Sequence, residues 1–130
     1  MSETAAAPAP GQIGWIDLTV PDAVRVRSFY ERVAGWTAIA FPMGDHDDYC
    51  MNPPGGAEPV AGICHAMGQN ATLPPVWLIY ITVTDLNESM RRCAEEGGKI
   101  RVPVRDTPMG RFCVIEDPAG AVAALFEPRR

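Results

Sequence analysis

The sequence is short of the features that would tie it to a disulfide framework, a nucleic acid or a bilayer. Its four cysteines, Cys50, Cys64, Cys93 and Cys113, each stand alone, so the C-x-x-C spacing of zinc and redox sites is missing. Four reduced and mostly buried thiols are the expectation. A basic run is also lacking: Lys+Arg 11 against Asp+Glu 16 leaves a net charge of −5, and the basic residues are scattered. That distribution argues against a nucleic-acid or anionic-membrane partner and leaves a small molecule or another protein. No apolar run approaches the length of a membrane span. The opening "MSETAAAPAPG" has neither a basic start nor an apolar core, so residues 1–11 read as a disordered Ala/Pro-rich tail rather than a signal peptide, and the expected location is the cytoplasm.

What is present is one domain's worth of chain, 130 residues with 47% hydrophobic composition, carrying a phrase written twice. "WIDLTVPD" at 15–22 returns as "LIYITVTD" at 78–85. Each reads as a strand closed by an aspartate that can cap a helix. After the first, Val26, Phe29, Tyr30 and Val33 fall at helical spacing before Gly35, and strands are predicted at 37–41, 48–52 and 60–65. After the second, Asp85 with Glu88 forms a capping-box pattern, Leu86, Met90, Cys93 and Ala94 make the stripe, and strands are predicted at 77–83, 99–104, 111–116 and 121–127. Both halves therefore read β-α-β-β-β. Laying 15–36 over 78–99 matches strand positions, helix cap and helix stop at one offset, as an internal repeat requires. The predicted organisation is an α+β domain over 12–128, with module one at 12–66, a connector at 67–75 and module two at 76–128.

Two such modules, together with "GWIDL", "FYERVAGW" and "GRFCVIEDPAG", resemble the vicinal oxygen chelate superfamily of glyoxalases, bleomycin-resistance proteins and extradiol dioxygenases, over about residues 12–128. The resemblance implies paired sheets forming a bowl, a pocket between the modules and a homodimer. It also implies a divalent metal held by His or Glu from the first and last strand of each module. Those four positions fall on Trp15, Gly62 (Ala61 if the register slips by one), Leu78 and Ala124, none of which carries a donor side chain. His46, in a polar loop, reads as solvated. His65 and Glu127 stand out of step with the expected ligand positions. The expectation is thus a protein with no metal cofactor. A lyase or dioxygenase with ligands displaced to His46, His65 or Glu127 is one alternative, and a non-catalytic drug-sequestering protein is another.

If Trp15 takes the bowl-facing place that the resemblance implies, the period of two puts Asp17 and Thr19 beside it on the first strand, and by the same parity Leu78, Tyr80 and Thr82 on the second and Val122, Ala124 and Phe126 on the last. Such a lining suits a planar or apolar small molecule oriented by a few polar groups. The same large residues would also serve simply as core. Asp17 and Tyr80 are the candidate catalytic pair. A carboxylate among Trp, Ile, Leu and Val is costly to bury alone, so Asp17 is either a ligand anchor or base, or a hydrogen-bonding partner of Tyr80 or of nearby backbone. Arg111 is the candidate anion partner.

Overall fold

Strand and helix alternate in this chain because β-branched and aromatic residues at period two give way twice to a capping aspartate and a 3.6-residue apolar period. The computed structural model describes residues 8–129 and follows that order: β1 (Ile13–Val20), α1 (Ala23–Val33), β2 (Thr37–Pro42), β3 (Asp47–Asn52), β4 (Ala61–His65), β5 (Trp77–Thr82), α2 (Leu86–Glu95), β6 (Lys99–Thr107), β7 (Gly110–Glu116) and β8 (Val122–Pro128). The fold is α+β, a duplicated β-α-β-β-β. Two compact units result, residues 15–77 and residues 8–14 with 78–129. The connector, with one 3-10 turn at Gly68–Asn70, therefore belongs to the first unit.

In the first unit β1 runs parallel to β4, β4 antiparallel to β3, and β3 antiparallel to β2. Leu18, Val20, Met51 and Ile63 turn to one face, where Val26 and Tyr30 of α1 cover them. The second unit repeats this with β5 parallel to β8, β8 antiparallel to β7 and β7 antiparallel to β6. Its helix-side core is Leu86, Cys113 and Leu125 with Ile81, Val104 and Ile115 packed against them. One face of each sheet is thus taken by a helix.

The local signals behave as their chemistry dictates, with four corrections. Asp22 accepts from the Arg25 amide at 3.0 Å and Asp85 from the Glu88 amide at 3.1 Å, so both aspartates cap. The capping box closes on one side only, because the Glu88 carboxylate is held by Arg91 and Arg92. Phe29 and Val33, expected as core of α1, are 50% and 66% exposed, since the sheet beneath α1 reaches only Val26 and Tyr30. β6 runs past the predicted end at Val104 through Pro103 to Thr107, with register irregularities between Ile100 and Arg105; a proline is tolerated at a sheet edge. Of the expected tail, residues 1–7 lie outside the described residues. Residues 8–11 are ordered by hydrogen bonding, the Gly11 amide donating to the Thr82 carbonyl at 2.7 Å.

Candidate functional site

The face of each sheet opposite its helix carries the polar and aromatic side chains for which the cores have no use. In the first unit the register sets Asp17 beside Gly62 and Thr19 beside Cys64 on β1 and β4, and Cys50 beside Gly62 on β3. Alternation puts Trp15, Asp17, Thr19, Asp48, Cys50 and Cys64 together, away from α1. The Trp15 ring roofs Gly62: a Cβ built there would lie 3.3 Å from the indole and 3.2 Å from the Asp17 Cβ. Burial pushes the Cys64 thiol well above its ordinary range, and the carboxylates of Asp17 and Asp48 push it further, Asp48 also accepting its hydrogen bond. Cys64 is therefore a protonated donor, not a nucleophile.

His46 borders this face through Asp48, while His65, paired with Val20, has the helix-side parity of β4. His46 is not solvated as expected: its Nδ1 lies 2.7 Å from Asp45, its Nε2 3.5 Å from Asp48, and its ring meets that of His65 edge-on with centroids 5.4 Å apart. The hydrogen bond to His46 holds the Asp45 carboxyl below the usual carboxylate range. The backbone amide of His65 donates to Asp48 at 2.9 Å.

In the second unit the helix-free face is aromatic. Tyr80 pairs with Ala124, Thr82 with Phe126, and Phe126 with Phe112, so the expected β5 and β8 residues do share one face. Phe112 meets Tyr80 edge to face at 5.6 Å, and the Arg105 guanidinium lies 4.9 Å from the Phe112 centroid. Such ring and cation contacts are each worth about 0.5–1.5 kcal/mol beyond simple burial. Leu78, Thr82 and Ala124 are buried. The hydroxyl of Thr82 is further covered by the backbone at Gly14, where a Cβ would stand 3.4 Å from it.

Arg111 is corrected. It stands one step out of phase with Phe112, on the helix side, with two nitrogens 3.3 Å from the Glu127 carboxylate, which holds its guanidinium above the usual range. Glu127 also accepts from the Leu86 amide at 2.8 Å, so this pair anchors the start of α2. Five further residues of the helix-free faces, Asp48, Cys50, Cys64, Arg105 and Phe112, are not marked as site residues by the sequence. Their parity with the candidates depends on strand pairing, and only the alternation Asp48–Cys50 and Phe112–Val114 hinted at it.

The positions to which the sequence resemblance assigns metal ligands, Trp15, Gly62 or Ala61, Leu78 and Ala124, do not fit a metal ion. Trp15 and Gly62 in the first unit and Leu78 and Ala124 in the second offer no donor, and the space at Gly62 is filled by indole. Among the described residues no three His, Cys, Asp or Glu are placed to hold a metal ion. None of the helices among them is long and apolar enough to cross a membrane.

Comparison with known proteins agrees with the duplicated fold. CFP32 of Mycobacterium tuberculosis, named a glyoxylase, is 32% identical over 123 residues, which are 92% of this chain and 47% of that protein. The anthracycline biosynthesis protein DnrV of Streptomyces peucetius is 30% identical over 120 residues, 92% of this chain and 42% of its own. The chain spans about half the length of the curated relatives it matches. Among solved structures, methylmalonyl-CoA epimerase from Mycobacterium tuberculosis superposes with a TM-score of 0.57 at 19% identity, over 98% of this chain and 95% of that one, a likeness of fold. The Glyoxalase/Bleomycin resistance protein/Dioxygenase superfamily model matches residues 12–125, and the chain belongs to that superfamily.

Proposed function

We propose that this chain binds a planar aromatic or apolar small molecule against the helix-free sheet face of its second unit, without a divalent metal ion, and works as a homodimer. The observation that carries the reading is the half-buried ring set of Tyr80, Phe112 and Phe126, with Arg105 stacked on Phe112, where the family's ligand positions carry Leu78 and Ala124. Apolar rings with a few oriented polar groups are the usual lining of a small-molecule site. DnrV is named for anthracycline biosynthesis, and the planar fused rings of an anthracycline are the kind of surface such a lining accepts. In the first unit, Trp15 and Asp17 give that unit's own helix-free face a ring and a carboxylate able to anchor a hydroxyl or amine, or to take a proton if a bound molecule is transformed. Displaced metal ligands have less support. Glu127 is committed to Arg111 and the start of α2, and His46 to Asp45 and Asp48.

The test is a titration with 1,4-dihydroxyanthraquinone, read by dye absorbance, with and without a chelator. Saturable binding that ignores the chelator, and that Phe112→Ala weakens about tenfold, is the expected result. Binding or turnover that appears only on adding a divalent ion would overturn the reading. Product analysis after prolonged incubation separates transformation from sequestration.

A further inference from the structure

On the opposite side of the first unit, under α1, lies a cavity of about 380 Å³ that the helix-free faces do not share. Leu18 and Val20 of β1 are its floor, and Phe29, Tyr30 and Trp77 stand around it. The rings are locked by edge-to-face contacts, Phe29 on Tyr30 at 5.1 Å and Tyr30 on Trp77 at 5.3 Å. Phe29 is half exposed, so the cavity opens to solvent along an apolar wall.

Two polar groups face this wall. The Trp77 Nε1–H donates to the Tyr30 hydroxyl oxygen at 3.2 Å, which fixes that oxygen as an acceptor and leaves its own O–H to donate elsewhere. Arg25, also lining the cavity and one helical turn before Phe29, makes no side-chain hydrogen bond or ion pair among the described residues. Asp22, the acid nearest to it in sequence, accepts the Arg25 backbone amide as the α1 cap. The neighbouring arginine, Arg27, is by contrast paired with Glu31 at 2.9 Å and lies over the Tyr49 ring. A cation and a hydroxyl proton, neither with an acceptor among the described residues, border a wall of rings.

We infer that this cavity is a second binding site, for a small aromatic carboxylate: its ring lies among Phe29, Tyr30 and Trp77, and its carboxylate accepts from Arg25 and Tyr30. A guanidinium and a phenol O–H converging on one carboxylate are charge-assisted donors that a neutral ring analogue cannot use. The site is independent of the ligand face proposed above.

The experiment uses 1-naphthoate and neutral 1-naphthalenemethanol as probes, read by calorimetry and by the indole N–H NMR signal of Trp77. Naphthoate shifts that signal saturably and binds at least about tenfold more tightly than the alcohol. Arg25→Gln removes most of that difference, Tyr30→Phe weakens naphthoate severalfold, and in Phe112→Ala the saturable naphthoate shift of the Trp77 signal persists. Naphthoate binding that survives Arg25→Gln but is lost in Phe112→Ala places the probe on the sheet face and overturns the inference. So does the absence of saturation at millimolar probe, or a Trp77 signal that responds to protein concentration and not to naphthoate, which would make the cavity a contact between copies.

Discussion

Burial, and the carboxylates of Asp17 and Asp48 beside it, keep the Cys64 thiol protonated. Iodoacetamide at pH 8 should therefore label Cys64 far more slowly than Cys93, by peptide mass spectrometry. Asp17→Asn removes one of the two charges and should speed Cys64 labelling severalfold, short of full reactivity because burial is the larger cause. An unchanged rate would mean that the Asp17 charge does not reach this thiol. Cys113 gives a cleaner test of sign. Burial pushes its thiol from 9.0 to about 11, so above pH 9 the unfolded chain ionises it while the folded chain does not. The stability it secures is intact below pH 9 and is lost as pH rises from 9 to about 11, a loss that Cys113→Ala should abolish in denaturant melts across that range. At this scale the sequence made Asp17 conspicuous, because a carboxylate on an apolar strand is costly whatever the fold. It could not show that Cys64 and Asp48 share its face, since that follows from the β1–β4 and β3–β4 registers.

The start of α2 is fastened twice, by Asp85 on the Glu88 amide and by Glu127 on the Leu86 amide. Asp85→Ala removes an ordinary N-cap and should cost about 1 kcal/mol in a denaturant melt. Glu127→Gln keeps the shape but gives up the charge facing Arg111, and should lower the melting temperature; an unchanged melt would show that the pair contributes nothing. Gly110 is a stricter constraint. A Cβ there would stand 2.2 Å from the Glu127 carbonyl oxygen and 2.9 Å from the Phe126 ring. Gly110→Ala must therefore displace β8 backbone, with an expected loss of about 3 kcal/mol or more. Helices, caps and most strand limits were legible because period and capping chemistry are local. Arg111 was misplaced because a one-residue step reverses its face, and "MGRF" carries no alternation strong enough to fix that step.

The duplicated β-α-β-β-β order could be read from one repeated phrase because each module must bury a sheet face under its own helix, and the same residues recur where that demand recurs. Exposed apolar surface is what the repeat does not explain. β2 pairs on one side with β3, and Ile39 and Phe41, alternating on one face of it, are 50% and 57% exposed. An edge strand with large apolar residues in water is a template for a second chain unless charge or proline blunts it, and only Pro42 at the strand's end does so here. The homodimer proposed for this chain is therefore expected to pass through β2. Light scattering at about 50 µM should give twice the chain mass, and Phe41→Lys should return the monomer with its circular dichroism unchanged. A folded monomer already present in the parent protein would retire the dimer. A dimer untouched by Phe41→Lys would move the interface to another exposed face, with Val33 and Phe29 of α1 the next to substitute.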